Sequence, residues 1–209
     1  MTTDQSKPAT SHTKTHNRNA DNRDFDPADL ERVRKGFIAK RENGLITDEK
    51  GRFVVNSDNY EFLRDGRDCP ETVNPQLWRH ATLNAHHGLF KVADGVWQVR
   101  GYDISNITFI RGTSGWVIID PLTSEHTARA ALELMDEHVE KLPVTVVIFT
   151  HSHADHFGGI LGVTTKKDVD AGRCQIVAPI GFLHETIGEN VIAGPAMSRR
   201  ATYQFGPLL

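Results

Sequence analysis

The ten residues Thr-His-Ser-His-Ala-Asp-His-Phe-Gly-Gly at positions 150–159 decide how the rest of this chain is interpreted. They follow a short β-branched run at residues 144–149, which is typical of a strand buried on both faces. Functional residues collect in loops at the carboxyl ends of strands in α/β sheets, because rigid strands hold such loops in place. The stretch therefore predicts a functional loop at the end of a central strand.

Four side chains of this loop are potential metal ligands, namely His151, His153, Asp155 and His156. Imidazole and carboxylate together suit Zn²⁺ and, less selectively, Mn²⁺ or Fe²⁺. A solvated polar turn does not need three imidazoles, and a hydrogen-bonded core histidine explains one of them at most. We therefore predict a metal site with zinc as the leading ion.

The spacing of the four ligands favours two ions over one. His151 and His153 are two positions apart, so in an extended segment they point to the same side and can hold one ion. Asp155 and His156 follow where the chain turns and can face a second ion. Two ions about 3.5–4 Å apart activate a bridging water and clamp an oxyanion, so the predicted reaction is hydrolysis by a metal-bound water.

Two neighbouring features support this loop. Asp120 follows a predicted strand at residues 116–119, and its carboxylate can reach a strand-end imidazole as an outer partner of the metal site. As an alternative, Asp120 caps the helix that starts near Thr123. Gly158 and Gly159 let the backbone approach its neighbours closely after the ligands.

Weaker signals come from polar residues further along the chain. His184 and Glu185 are minor candidates for metal ligands. The pair Arg199 and Arg200 could bind a sulfate or phosphate oxyanion, although solvated charge on a helix is the commoner meaning.

Composition restricts the class of protein. The chain has 209 residues, 38% hydrophobic and 24% charged, which is typical of a soluble globular protein. A net charge of −3 predicts no general affinity for nucleic acid.

No apolar stretch approaches the roughly 20 residues of a membrane span, and the absence of a secretory core near the N-terminus predicts a cytoplasmic location. Cys69 and Cys174 indicate neither a disulfide framework nor a thiolate zinc site.

Three regions are predicted: a disordered polar tail at 1–24, an N-terminal helix with an irregular arm at 25–85, and an α/β region with a mixed sheet at 86–209. The N-terminal helix is expected over residues 27–42, with Asp26 as its N-cap and Gly44 as its stop. The α/β region has expected strands at 88–92, 96–101, 106–110, 116–119, 144–149 and 175–178, and expected helices at 124–141, 166–172 and 181–193.

The ligand loop resembles that of the metallo-β-lactamase fold, a four-layer αβ/βα sandwich with a one- or two-metal site on its upper edge. The segments at 69–79, 88–90, 102–106 and 190–201 resemble the alkyl sulfatases of that superfamily, and the resemblance runs from about residue 24 to residue 209. It implies hydrolysis of linear primary alkyl sulfates such as dodecyl sulfate, releasing inorganic sulfate and alcohol. It also implies one zinc on His151 and His153 and a second on Asp155 and His156.

The same resemblance implies that the chain is an N-terminal fragment, since family members continue to a bridging glutamate, a late histidine and a dimerisation domain. A half sandwich is expected to expose sheet edges and one apolar face. Three functions follow: a zinc hydrolase of alkyl sulfates that is a homodimer at full length, another hydrolase on this fold acting on thioesters, lactams or phosphodiesters, or a metal-binding chain without turnover.

Overall fold

The computed structural model describes residues 8–20, 26–63 and 66–205, without the side chains of 203–205. The chain divides into two units, one from residues 1–35 and 57–86 and the other from residues 36–56 and 87–209. The region expected to begin at residue 86 therefore also includes residues 36–56. The ligand loop lies in the second unit.

The first unit is helical. Its elements are α1 at Ser11–Arg18, α2 at Ala28–Arg34, a 3-10 helix at Ser57–Leu63 and α3 at Pro75–Asn84. Helix α1 lies in the stretch that we expected to be a disordered tail. The Thr10 side chain caps it, and the buried Asn17 donates to the Glu71 carbonyl at 2.8 Å. This cap and this contact with a distant segment explain the difference, while residues 1–7 and 21–24 of the expected tail lie outside the described part of the chain.

The helix expected over residues 27–42 is shorter in the structure. Helix α2 ends at Arg34, and strand β1 follows at Phe37–Ala39. Between them Gly36 has a φ of 77°, and a Cβ there would collide with the Lys91 carbonyl. The prediction was wrong because Phe37 and Ile38, which fit a helical stripe, instead belong to a strand paired with residues 89–90.

The second unit is built on a seven-stranded mixed sheet and a small hairpin. The hairpin joins β2 at Leu45–Thr47 to β3 at Phe53–Asn56. The sheet has the order β1-β4-β5-β6-β7-β8-β9, antiparallel from β1 to β7 and parallel from β7 to β9. Its further strands are β4 at Gly88–Ala93, β5 at Val96–Arg100, β6 at Ile107–Arg111, β7 at Trp116–Ile119, β8 at Val144–Ile148 and β9 at Gln175–Val177. The predicted α/β class with a mixed sheet is confirmed.

The core lies between one face of this sheet and helix α4 at Glu125–His138. Trp116 is completely buried and packs edge-on against Trp97 and Phe109, at centroid distances of 5.5 and 6.2 Å. From the helix, Ala128 and Met135 are completely buried, as the apolar spacing predicts. Alternation along β6 and β7 places every second residue in this core, which fixes the register and thus the strand ends that carry the site.

Strand β8 is less buried than we expected. Only Val147 is fully buried, and Val144, Val146 and Ile148 are half-buried. The expectation of cover on both faces was wrong because, among the described residues, the face opposite α4 is only partly covered.

The chain beyond β8 is mostly helical. It comprises 3-10 helices at Ala154–His156 and Ile160–Gly162, α5 at Lys166–Asp170, α6 at Phe182–Ile187, a π-helix at Gly188–Ile192 and α7 at Gly194–Phe205. In the described ranges no helix is both long and apolar enough to cross a bilayer.

Candidate metal centre

The ligand loop leaves the end of β8 in an extended conformation and then turns tightly. His153 has φ −70° and ψ 138°, and the 3-10 helix at Ala154–His156 reverses the chain behind it. Gly159 then donates from its N–H to the Leu122 carbonyl at 2.8 Å, and a Cβ at this glycine would collide with neighbouring carbonyl oxygens. The close backbone approach expected after the ligands is therefore present.

Asp120 connects the end of β7 to this loop. Its Oδ1 accepts from the Thr150 N–H at 2.8 Å, and its Oδ2 accepts from the Thr150 hydroxyl at 2.7 Å. The same Oδ2 lies 2.8 Å from His156 Nδ1. Asp120 is buried with a left-handed φ of 55°, a strained backbone of the kind that collects at functional sites. The cap of α4 is Ser124, so the alternative role of Asp120 as a helix cap does not apply.

Each of the three imidazoles has one nitrogen near a partner outside the ligand set, and for His151 and His156 this contact is at hydrogen-bond distance. Thr150 Oγ1 lies 3.0 Å from His151 Nδ1, and Asp120 holds His156 Nδ1. Glu189 Oε1 lies 3.5 Å from His153 Nε2. Because the Thr150 hydroxyl gives its proton to Asp120, it can only accept from His151, which leaves the Nε2 lone pair of His151 free.

The other ligand atoms form two pairs. His151 Nε2 lies 3.1 Å from His153 Nδ1, and His156 Nε2 lies 3.1 Å from Asp155 Oδ2. Adjacent nitrogens around a tetrahedral zinc lie about 3.3 Å apart, given Zn–N bonds of about 2.0–2.1 Å. Two lone pairs facing each other at this separation need a proton or a cation between them. The spacing and chemistry of both pairs are therefore compatible with a bound cation such as zinc.

A loop between β5 and β6 supports the ligand loop from the side. The Ser105 hydroxyl donates to the Asp155 carbonyl, and Asp103 accepts from Thr123 and Thr127 at the start of α4. In the same loop the buried Tyr102 hydroxyl accepts from the Arg41 N–H, and burial raises the pKa of Tyr102. This phenol therefore stays neutral as part of the support.

Comparison with known proteins shows what the chain is similar to. Residues 100–200 match the family model described as the metallo-beta-lactamase superfamily. The linear primary-alkylsulfatase of Pseudomonas sp. is 48% identical over 184 residues, which are 88% of this chain and 27% of that relative. The chain is thus similar to alkylsulfatases over most of its length, and its residues 100–200 are similar to the metallo-β-lactamase superfamily.

Two further sulfatases show the same similarity to the chain. The alkyl/aryl-sulfatase BDS1 of Saccharomyces cerevisiae is 46% identical over 88% of this chain and 28% of that relative. The structure of the stereoselective inverting sec-alkylsulfatase Pisa1 from Pseudomonas sp. superposes with a TM-score of 0.89 at 44% identity, covering 95% of this chain and 31% of that one. The chain spans between about a quarter and a third of the length of these relatives.

A cluster of three metal-capable side chains lies outside the ligand loop and was not predicted. Ligand-type atoms of Glu49, Glu125 and His126 all lie within 4.8 Å of one another. The guanidinium of Arg129 is 3.4 Å from Glu49 and 3.8 Å from Glu125. This single guanidinium offsets one of the two carboxylate charges, and exposed acidic groups of this kind are common without an ion.

The structure separates the main candidates from the weaker ones. It brings His151, His153, Asp155 and His156 together with Asp120, as described above. His184 and Glu185 lie exposed on α6, and Arg199 and Arg200 lie exposed on α7. No contact from these four to the ligand loop is present in the described part of the chain.

Sequence analysis missed three residues that hold the site. Thr150 lies in the stretch 150–159, and its hydroxyl next to His151 was the signal that could have identified it as a partner of that histidine. Ser105 and Glu189 contact the loop from distant segments, where no spacing rule links them to it.

Proposed function

We propose that this chain is the metal-binding region of a zinc-dependent hydrolase of alkyl sulfates. The observation that carries this proposal is the arrangement of two ligand pairs, in which each imidazole directs one nitrogen at a second ligand and the other nitrogen at a partner outside the set. Likeness to alkylsulfatases at 45–48% identity over 88% of the chain supports the substrate class.

In this proposal His151 and His153 hold one zinc, and Asp155 and His156 hold the second. Zinc, when bound, acts as a Lewis acid on a sulfate oxygen and lowers the pKa of water. The divalent charge at this edge also attracts an anionic sulfate head.

The chain's own residues set the proton positions that such a site needs. Asp120 accepts from His156 Nδ1–H and thereby leaves His156 Nε2 as a lone-pair donor. The Thr150 hydroxyl donates to Asp120 and therefore accepts from His151 Nδ1–H, which fixes the tautomer of His151 as well. A single buried carboxylate therefore fixes the tautomers of two of the three imidazoles.

Linear primary alkyl sulfates are the proposed substrates, and the name of the Pseudomonas relative supports this choice. Other matched relatives are named as a secondary-alkylsulfatase and as an alkyl/aryl-sulfatase, which makes the ester position the first property to measure. The homodimer and the cytoplasmic location expected from the sequence stay predictions.

The test is release of inorganic sulfate from dodecyl sulfate by the zinc-loaded chain, beside the variant His151→Ala. Release by the parent chain and its loss in the variant would support the proposal. Zinc binding without release would favour the metal-binding chain without turnover. Activity on a thioester or a lactam but not on alkyl sulfates would assign another hydrolase of this fold.

A further inference from the structure

The imidazole of His153 is the least restrained ligand of the metal centre. Its side chain is 54% exposed, whereas that of His156 is 22% exposed and that of Asp155 is 25% exposed. An exposed imidazole turns freely about its side-chain torsions unless a partner holds it. The pair with His151 needs His153 Nδ1, and not Nε2, to face the ion position.

Glu189 is the residue placed to provide that restraint. Its Oε1 lies 3.5 Å from His153 Nε2, within reach of a hydrogen bond after a small rotation of the Glu189 side chain. Its Oε2 accepts from the Ser152 hydroxyl at 3.2 Å, so the carboxylate is held from the loop itself. The Glu189 side chain is about one-third exposed, which limits competition from water.

The backbone that carries Glu189 is unusual. It belongs to the π-helix at Gly188–Ile192, a single wide turn between α6 and α7. Such turns are rare and occur often at functional sites, because the extra residue redirects side chains from the helix. Here the redirected side chain is a carboxylate that faces a candidate ligand.

We infer that Glu189 is a positioning residue that holds the His153 imidazole with Nδ1 directed at the metal. This inference rests on the metal site of the proposed function. It parallels the contact of Asp120 with His156, so each of the two proposed ions has one imidazole oriented by a carboxylate. The arrangement also joins the π-helix to the ligand loop.

The first measurement is the tautomer of His153 in metal-free chains that carry His151→Ala, read from long-range ¹H–¹⁵N correlations of the neutral ring. This background removes the His151 Nε2 lone pair, which would otherwise draw a proton to His153 Nδ1. With Glu189 intact we expect the Nε2–H form of His153 to dominate. When Glu189→Ala is added we expect the ratio of Nε2–H to Nδ1–H to fall about tenfold, and Glu189→Gln, which keeps an acceptor oxygen, should recover much of it.

The second measurement is zinc affinity, by competition with a chromophoric chelator. Glu189→Ala should weaken binding by about 10- to 100-fold, the usual effect of removing an outer carboxylate. Glu185→Ala is the matched control, because it removes the same charge from an exposed position of α6, and its affinity should stay within about twofold of the parent.

Equal tautomer ratios of His153 with and without Glu189→Ala, together with equal zinc affinities of Glu189→Ala and the parent chain, would overturn the inference. A parent chain that binds no zinc would contradict the proposed function instead. In that case the tautomer ratio of the metal-free chain still decides the role of Glu189.

Discussion

Asp120 holds three donors in a buried, left-handed position at the end of β7. Because one of these donors is the His156 ring, the position of a proton on that ring depends on the charge of this side chain. Replacing the carboxylate by an amide keeps its shape and reverses its preference, since an amide N–H facing Nδ1 favours the proton on Nε2.

We therefore predict that Asp120→Asn lowers zinc affinity by about 10- to 100-fold with little change in fold. Chelator competition measures the affinity, and far-ultraviolet circular dichroism checks the fold. Asp94→Asn is the control, because that side chain is fully exposed on the turn between β4 and β5. Parent-like affinity in Asp120→Asn would show that the carboxylate does not set the tautomer of His156.

Gly159 gives a prediction about stability. A Cβ at this position would meet the Pro121 and Ser124 carbonyls and the Ala128 side chain. Gly159→Ala should thus lower the free energy of unfolding by about 1–3 kcal/mol, the usual cost of overpacking.

Gly194→Ala is the matched control for Gly159→Ala, since nothing lies within 4 Å of its added Cβ. Urea denaturation of both variants gives the comparison. Equal stabilities would mean that the loop can move away from α4 without cost.

At the level of single residues, the sequence singled out four candidate ligands because they stand close together in one strand-end loop. It also offered Asp120 as an outer partner, because that residue ends the neighbouring strand. Glu189 could not be predicted in this way, because it lies on a π-helix, which changes the direction of its side chain. The spacing of apolar residues in the sequence does not indicate such a turn.

At the level of elements, helix α1 depends on one carboxylate. Glu71 accepts from Lys14 at 2.5 Å and from Arg18 at 2.7 Å, and these hydrogen bonds hold the pKa of Glu71 below its ordinary value of 4.5. A carboxylate with a lowered folded pKa contributes stability above its unfolded pKa and loses it as the pH falls through the folded value.

Protection of the α1 amides from hydrogen exchange should therefore fall as the pH drops below about 4.5, after correction for the intrinsic exchange rate. In Glu71→Gln the protection should already be lower at pH 7 and should depend little on pH. Mass spectrometry of the peptide containing residues 11–18 measures both. A pH-independent protection in the parent chain would contradict this account.

The predicted and observed helices and strands agree where the local sequence pattern alone determines the element. The strands β4 to β8 and helix α4 were predicted within a few residues, because apolar alternation and the Ser124 cap give local signals. Strand β1 was predicted as helix, since its identity depends on pairing with β4, a distant partner that the local sequence cannot show. Likewise α1 is too polar for an apolar stripe, and its contacts with Glu71 come from another segment.

At the level of the whole molecule, the elements after β8 expose large apolar side chains. Strand β9 is an edge of the described sheet and is exposed along its length. Ile180 is fully exposed, and Leu183 is 70% exposed. Exposed edges and apolar side chains of this kind favour association.

We predict that the isolated chain binds a hydrophobic dye and self-associates at micromolar concentration. The double variant Ile180→Lys, Leu183→Lys should reduce both effects, measured by dye fluorescence and sedimentation velocity. Gln175→Lys with Asn190→Lys is the control, because it adds the same charge without removing apolar surface. Equal association in both double variants would assign the effect to charge.

The central claim is that the loop at the end of β8 holds the metal, and zinc content tests it most directly. The measurement is zinc retained per chain after dialysis, for the parent, for a variant with alanine at His151, His153, Asp155 and His156, and for a variant with Glu49→Gln, Glu125→Gln and His126→Ala. We predict at least one zinc in the parent and in the second variant, and none in the first. Parent-like zinc in the chain without the four loop ligands would contradict the account.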